Sequence, residues 1–142
     1  MNHGVTLPEL MTVLAIVSIL ASIAIPPLDR ALDQAAVDEA ADRYAAVHET
    51  TRQLAIARAT LARVEIDSAR HTAAVSLQRS RSVWDTVQIH PLGTARITLT
   101  QKVVTFGPFG VGYGASNTRL VFARGAAAET LTVARTGRLR RS

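Results

Sequence analysis

Residues 10–28 read LMTVLAIVSILASIAIPPL, nineteen positions without a formal charge, and ten of the sixteen from Leu10 to Ile25 are Leu, Ile, Val or Met. As a helix this stretch is about 28 Å long at about 1.5 Å per residue, close to the hydrocarbon thickness of a bilayer. Its nine Leu, Ile and Val residues contribute on the order of −4 kcal/mol to membrane insertion. Three readings are open: the core helix of a soluble domain, a cleaved secretory signal with a small-x-small site at Ser22-Ile23-Ala24, and a retained membrane helix. A chain of 142 residues has little interior in which to hide such a stretch. The Met-Asn-His-Gly that precedes it lacks the Lys or Arg of a signal, and Glu9 stands at its mouth. Arg30 follows the stretch and no base precedes it, so charge sets no orientation.

Outward from this segment the composition is lopsided. The whole chain carries 16 Lys+Arg against 11 Asp+Glu, net +5, with 48% hydrophobic residues. Residues 1–50 hold seven acids and two arginines (net −5), and residues 51–142 hold four acids and fourteen bases (net +10). After Gly4 the other seven glycines all lie between Gly93 and Gly137. There is no cysteine, which excludes a disulfide framework and any cysteine-based zinc site, and the pattern is neither collagen-like nor that of a wholly disordered chain.

Thr6-Leu7-Pro8-Glu9 fits a capping box, with Thr6 as N-cap, Pro8 in the first turn and a staple between Val5 and Leu10. Capping accounts for the spacing but not for a carboxylate at the edge of a membrane segment, where ionisable groups mark function. Gly4 followed by Val5-Thr6-Leu7-Pro8-Glu9-Leu10 and an apolar run ending at Pro26 resembles the N-terminus of type IV pilins and pseudopilins. The resemblance implies that a prepilin peptidase cuts after Gly4, leaving residues 1–4 as a leader, and that Val5 then carries a methylated amine. It also implies that Glu9 is the assembly carboxylate. A freed amine with pKa about 8 is mostly cationic at neutral pH, and a neighbouring subunit's Glu9 can neutralise it within lipid.

From Asp29 to His90 there is neither Gly nor Pro. Val37, Ala40, Tyr44, Val47, Thr51, Leu54 and Leu61 recur on one helical face. Acids (Asp29, Asp33, Asp38, Glu39, Asp42) crowd the start of this segment and Arg52, Arg58 and Arg63 its end, as a helix dipole favours. The pattern predicts one long helix from about Thr6 to about Asp67, bent at Pro26 and Pro27. Residues 5–28 form its membrane and assembly half, where Ser18 and Ser22 make a small-xxx-small pair.

The remaining 29–142 read as a globular domain, helical over 29–68 and β-rich over 70–142. Strands are expected at 72–78, 83–89, 95–100, 103–106, 119–123 and 130–134, with turns at Pro91-Leu92-Gly93, Gly107-Pro108 and Thr136-Gly137. One-sided burial lays the sheet on the second half of the helix, an α+β chain with an antiparallel sheet. Gly107-Pro108-Phe109-Gly110-Val111-Gly112-Tyr113-Gly114 lacks the Lys-Ser/Thr of a phosphate loop and reads as a surface loop carrying two aromatics. His3, His48, His71 and His90 have no metal spacing and read as satisfied or solvated. Glu65 and Asp67 fall on different faces of the expected helix, and no serine sits in a nucleophile elbow, so neither an enzyme, a cofactor nor a metal is expected.

The C-terminus reads Arg135-Thr136-Gly137-Arg138-Leu139-Arg140-Arg141-Ser142. If 138–140 continues a strand, Arg138 and Arg140 share a face with Leu139 turned to the core, and arginine forks suit phosphate. Gly137-Arg138-Leu139-Arg140 is similar to the ending of the GspH/FimT-like branch of the pilin family. That branch implies a minor pseudopilin acting near the tip of a secretion pseudopilus or a type IV pilus. Its implied partners are other pilin subunits, prepilin peptidase and inner-membrane lipid, with the C-terminal domain in the periplasm. It also implies an alternative, DNA uptake through Arg135, Gly137, Arg138, Arg140 and Arg141 on the phosphate backbone.

Overall fold

The uncharged stretch and the acidic segment after it form one helix, α1 (Leu7–Ala57), and eight short strands follow. The computed structural model describes residues 6–114 and 116–142, with only the backbone described at 23–26. Gly4 and Val5, the expected cleavage and methylation positions, lie outside the described residues, as do His3 and the side chain of Pro26. The chain divides into two units, one ending at Leu32 and one spanning Asp33–Ser142.

In the first unit the apolar side chains from Leu7 to Leu20 are exposed, and an 18-residue window has mean hydropathy 2.2, enough in length and composition to cross a membrane. Thr6 C=O accepts from Leu10 N at 3.1 Å, opening the helix as an N-cap residue does. Among the described residues no side-chain hydrogen bond joins Thr6 to Glu9, so the expected capping box is not closed. Thr12, Ser18 and Ser22 turn their hydroxyls back onto the carbonyls of Pro8, Leu14 and Ile19. Such back-bonding satisfies a polar group on an apolar helix without any outside partner. The helix is continuous through Pro26 and Pro27, two residues with no N–H to donate.

In the second unit the remainder of α1 meets two antiparallel four-stranded sheets. The first has order β3-β2-β1-β5, from β1 (Ala62–Asp67), β2 (Thr72–Ser80), β3 (Val83–Pro91) and β5 (Val103–Phe106). The second has order β4-β6-β7-β8, from β4 (Arg96–Leu99), β6 (Thr118–Arg124), β7 (Ala127–Val133) and β8 (Leu139–Arg141). Both sheets supply one core: Tyr44 and Val47 of the helix pack with Ile66, Val75, Phe106, Leu120, Phe122 and Leu131. The α+β architecture is the one expected.

The helix ends ten residues early. Residues 62–67 alternate Ala62, Val64 and Ile66 buried against Arg63, Glu65 and Asp67, which is strand β1. Glu65 and Asp67, expected on different helix faces, therefore share one strand face. What stops α1 is a Schellman turn. Thr60 N donates to Ala55 O at 3.2 Å and Ala59 N to Ile56 O at 3.1 Å, with Ala59 left-handed at φ 47°. Alanine occupies the position where glycine is usual, so no glycine marked the stop.

The acids at the start of this helical half face the second sheet. Asp33 holds Arg124 at 3.0 Å, and Arg124 also donates to Thr94 Oγ1 at 3.1 Å. Asp38 and Asp42 both reach Arg141, at 3.5 and 2.6 Å, and Arg141 further grips Glu129 of β7. These arginines bind the helix to β6 and β8 of the second sheet.

Candidate functional site

The β7–β8 hairpin carries the C-terminal arginines. Gly137 N donates to Ala134 O, and Ala134 N to Arg138 O, both at 2.8 Å. Gly137 at φ 81° closes this type I turn and bulge, a conformation that costs a residue with Cβ. A Cβ there would also press on Phe106 Cε1 at 2.9 Å and Gly112 N at 3.1 Å. The hairpin therefore leans directly on the glycine-rich loop, and Gly112 is the other half of that backbone contact. A Cβ on Gly112 would meet Arg135 O at 2.5 Å.

The four arginines divide. Strand alternation places Leu139 and Arg141 on one side; Leu139 packs on the core as expected, and Arg141 is held by Asp38, Asp42 and Glu129. Arg140, opposite Thr132 in register, faces the other way, and Arg138 precedes the strand. Arg135, Arg138 and Arg140 are exposed and, among the described residues, form no ion pair. Arg141 thus serves the fold, and the other three are available to a ligand.

Beneath Arg138 a cleft of about 440 Å³ is lined by Ala45, His48, Glu49, Arg52, Thr136 and Leu139. His48 is buried against Phe106, edge to face at 4.9 Å between ring centroids, and its Nε2 has no protein partner. The expectation of a satisfied or solvated histidine therefore fails at His48. Burial pulls its pKa down to about 4, with Glu49 opposing and Arg52 assisting. Glu49 is itself held below the usual carboxylate range by the Arg52 hydrogen bond, at 3.1 Å. Tyr44, whose hydroxyl is likewise unpartnered, is pushed up by burial. In the sequence Arg52 reads as one of the bases at the helix end and His48 as a histidine of no special role; only the folded hairpin brings them beside Arg138.

Glu9 is exposed on the first turn of α1, on the apolar helix and available to another chain. Among the described residues no group of three or more His, Asp or Glu is placed to hold a metal.

Residues 1–25 match the family model of the prokaryotic N-terminal methylation motif. The type IV minor pilin FimU of Pseudomonas aeruginosa superposes with a TM-score of 0.61 at 14% identity, over 75% of this chain and 87% of that one. The minor pseudopilin EpsH from the type 2 secretion system of Vibrio cholerae superposes with a TM-score of 0.61 at 13% identity, over 75% of this chain and 96% of that one. The chain shares the fold of these two proteins. No curated protein matches it in sequence. That fold supplies here a helix with an exposed carboxylate at one end and a domain with a basic hairpin.

Proposed function

We propose that this chain is a minor pilin or pseudopilin of the GspH/FimT-like type, an assembly subunit of a type II secretion pseudopilus or a type IV pilus. The observation that carries the reading is the methylation motif at the head of an exposed apolar helix that leads into a pilin fold. Prepilin peptidase cuts after Gly4 and Val5 is methylated. Residues 5–28 hold the subunit in the inner membrane with the domain in the periplasm, until it joins the filament near its tip. Glu9 then neutralises the terminal amine of a neighbouring subunit, since each charge alone is costly in lipid.

Intact-mass analysis of the membrane-extracted protein tests this. The expected product starts at Val5, the 142-residue chain less four, and is one methyl group heavier. A product starting at Ile25 would overturn the reading. Glu9→Val is expected to leave membrane insertion intact and abolish incorporation into filaments; normal incorporation would sink the charge-pairing step.

A second reading is favoured by the three unpaired arginines of the hairpin: Arg135, Arg138 and Arg140 meet DNA phosphates during DNA uptake. Titrating the detergent-solubilised full chain with DNA at several salt concentrations tests it. Three phosphates neutralised give a slope of log K on log salt of roughly −3 on duplex. Absence of binding at low salt rejects this reading and leaves the assembly role.

A further inference from the structure

The outer face of the second sheet carries charge of one sign. In β6 and β7 the buried Thr118, Leu120, Leu131 and Val133 flank Arg119 and Thr132, so these two project away from the core. Thr132 stands in register between Arg119 of β6 and Arg140 of β8, which sets the two arginines about 10 Å apart in one cross-strand row. Arg96 of β4 pairs with Ala123, four residues further along β6, and its neighbour Ile97 is buried. It ends the same face about 14 Å from Arg119. All three arginines are exposed and, among the described residues, form no ion pair. Between them lie only short side chains: Thr98, Val121, Ala123, Ala128 and Thr130. Glu129, the sole acid of the four strands, is opposite buried Phe122 and turns to Arg141.

The domain itself has nothing left to answer this face. Of the eleven acids, all but Glu9 and Asp29 lie in the second unit, and each of those nine already stands in an ion pair. A second copy of the domain therefore has no free acidic side chain to bring to it. Phe122, the one aromatic of these strands, is buried, so the face has no ring on which an unpaired base could stack and no large side chain to anchor a protein. What it offers is spaced guanidinium groups with threonine hydroxyls between them, and both contact DNA phosphates without reading sequence. We propose that the DNA surface continues from the hairpin across the sheet, from Arg140 over Thr132 to Arg119 and on to Arg96, and that its ligand is duplex DNA. From Arg140 to Arg96 the track is about 20 Å long, which matches about six base pairs at 3.4 Å per step. The inference rests on the DNA-binding reading and adds to it the form of DNA and two further arginines.

Fluorescence anisotropy of the detergent-solubilised full chain across a salt series, with a labelled duplex longer than the track and with one of its strands, tests it. Phosphates neutralised by Arg96, Arg119, Arg135, Arg138 and Arg140 give a duplex slope of log K on log salt of about −4.5, against roughly −3 for the hairpin arginines alone. Arg119→Ala and Arg96→Ala each flatten the slope by about 0.9, and Arg119→Lys, which keeps the charge, restores it. Arg81→Ala removes an exposed cation between β2 and β3 of the other sheet and leaves the slope as in wild type. A slope near −3 that neither face variant changes overturns the track, while the DNA-binding reading stands on the hairpin. Equal flattening by Arg81→Ala makes the binding a matter of net charge, and the track is wrong. Tighter binding of the single strand overturns the duplex assignment. Failure of either form to bind at low salt removes the DNA-binding reading, and the track with it. Face variants that bind duplex as wild type but no longer co-assemble with other subunits make the face a protein contact, and the proposal is wrong.

Discussion

Acidification from pH 7 to pH 5 is expected to destabilise the domain through one residue, His48. Its folded pKa is about 4 because the ring is 97% out of solvent, 3% exposed, against Phe106 and Tyr44. In the unfolded chain a histidine titrates near 6.5. Between those values the unfolded state binds more protons than the folded one, so stability is complete above about pH 6.5 and falls as pH drops toward 4. At about 1.36 kcal/mol per unit, the loss between pH 7 and pH 5 comes to about 2 kcal/mol. That corresponds to a melting temperature lower by roughly 8 °C for a unit of this size. Glu49 and Asp67 are depressed by hydrogen bonds from Arg52 and from the Arg70 backbone, so their contributions are lost only below the ordinary carboxylate range. The window from pH 5 to 7 thus lies above both carboxylates, and a His48 variant isolates this histidine from the others. The assay is denaturation of the full chain in micelles followed by Trp84, the lone tryptophan, which lies in β3 with Arg63 over its ring at 4.5 Å. His48→Leu keeps a similar volume and removes the titration, so its stability is expected to be flat across the window. A variant that loses as much as wild type between pH 7 and pH 5 would refute the assignment.

Two substitutions probe the fold around the site. Ala59→Gly relieves a left-handed alanine, about 1–2 kcal/mol, against about 0.5–1 kcal/mol of added chain entropy, so a net gain of up to about 1.5 kcal/mol is expected. It reads out as a higher denaturant midpoint at unchanged slope; a lower midpoint contradicts the Schellman stop. Arg141→Ala removes a half-exposed arginine from three carboxylates and is expected to cost about 1 kcal/mol at low salt, less at high salt. It should also leave the salt slope of nucleic-acid binding unchanged, and a flattened slope would place Arg141 among the ligand-binding arginines.

The parts of the fold legible in the sequence were those where local pattern and tertiary burial agree. The buried face Val37, Ala40, Tyr44, Val47 and Thr51 follows helical spacing, and β5 (Val103–Phe106) is bounded by turn residues on one side and matches its expected limits. Strand β1 was hidden because Ala59 and Thr60 turn the chain without Gly or Pro, and Leu61 continues the phase of the helix face. Of the site, the motif residues were visible because arginines and glycines cluster in sequence. The cleft was not, since His48 and Arg52 meet Arg138 only after some ninety residues of intervening chain have folded. Nothing in the Arg-Leu-Arg-Arg spacing marks Arg141 as a strut; that depends on which edge of β8 faces α1.

The charge imbalance takes on a different meaning once the pairs are traced. The acidic front is largely answered within the chain: Asp33 by Arg124, Asp38 and Asp42 by Arg141, Glu39 by Arg43 and Glu49 by Arg52. These contacts are half-exposed and individually weak; the last two lie within the helix, and the value of the first three lies in registering it on the second sheet rather than in stability. Because one arginine of the C-terminal group is consumed in that registration, the hairpin is held against the helix while its neighbours stay free. Arg140 points away from the face that Arg141 and Leu139 bury, as strand alternation requires. A single strand of three residues therefore does two jobs with one period. Its inward side locks the element in place, and its outward side leaves Arg140 exposed on a backbone already held in the sheet.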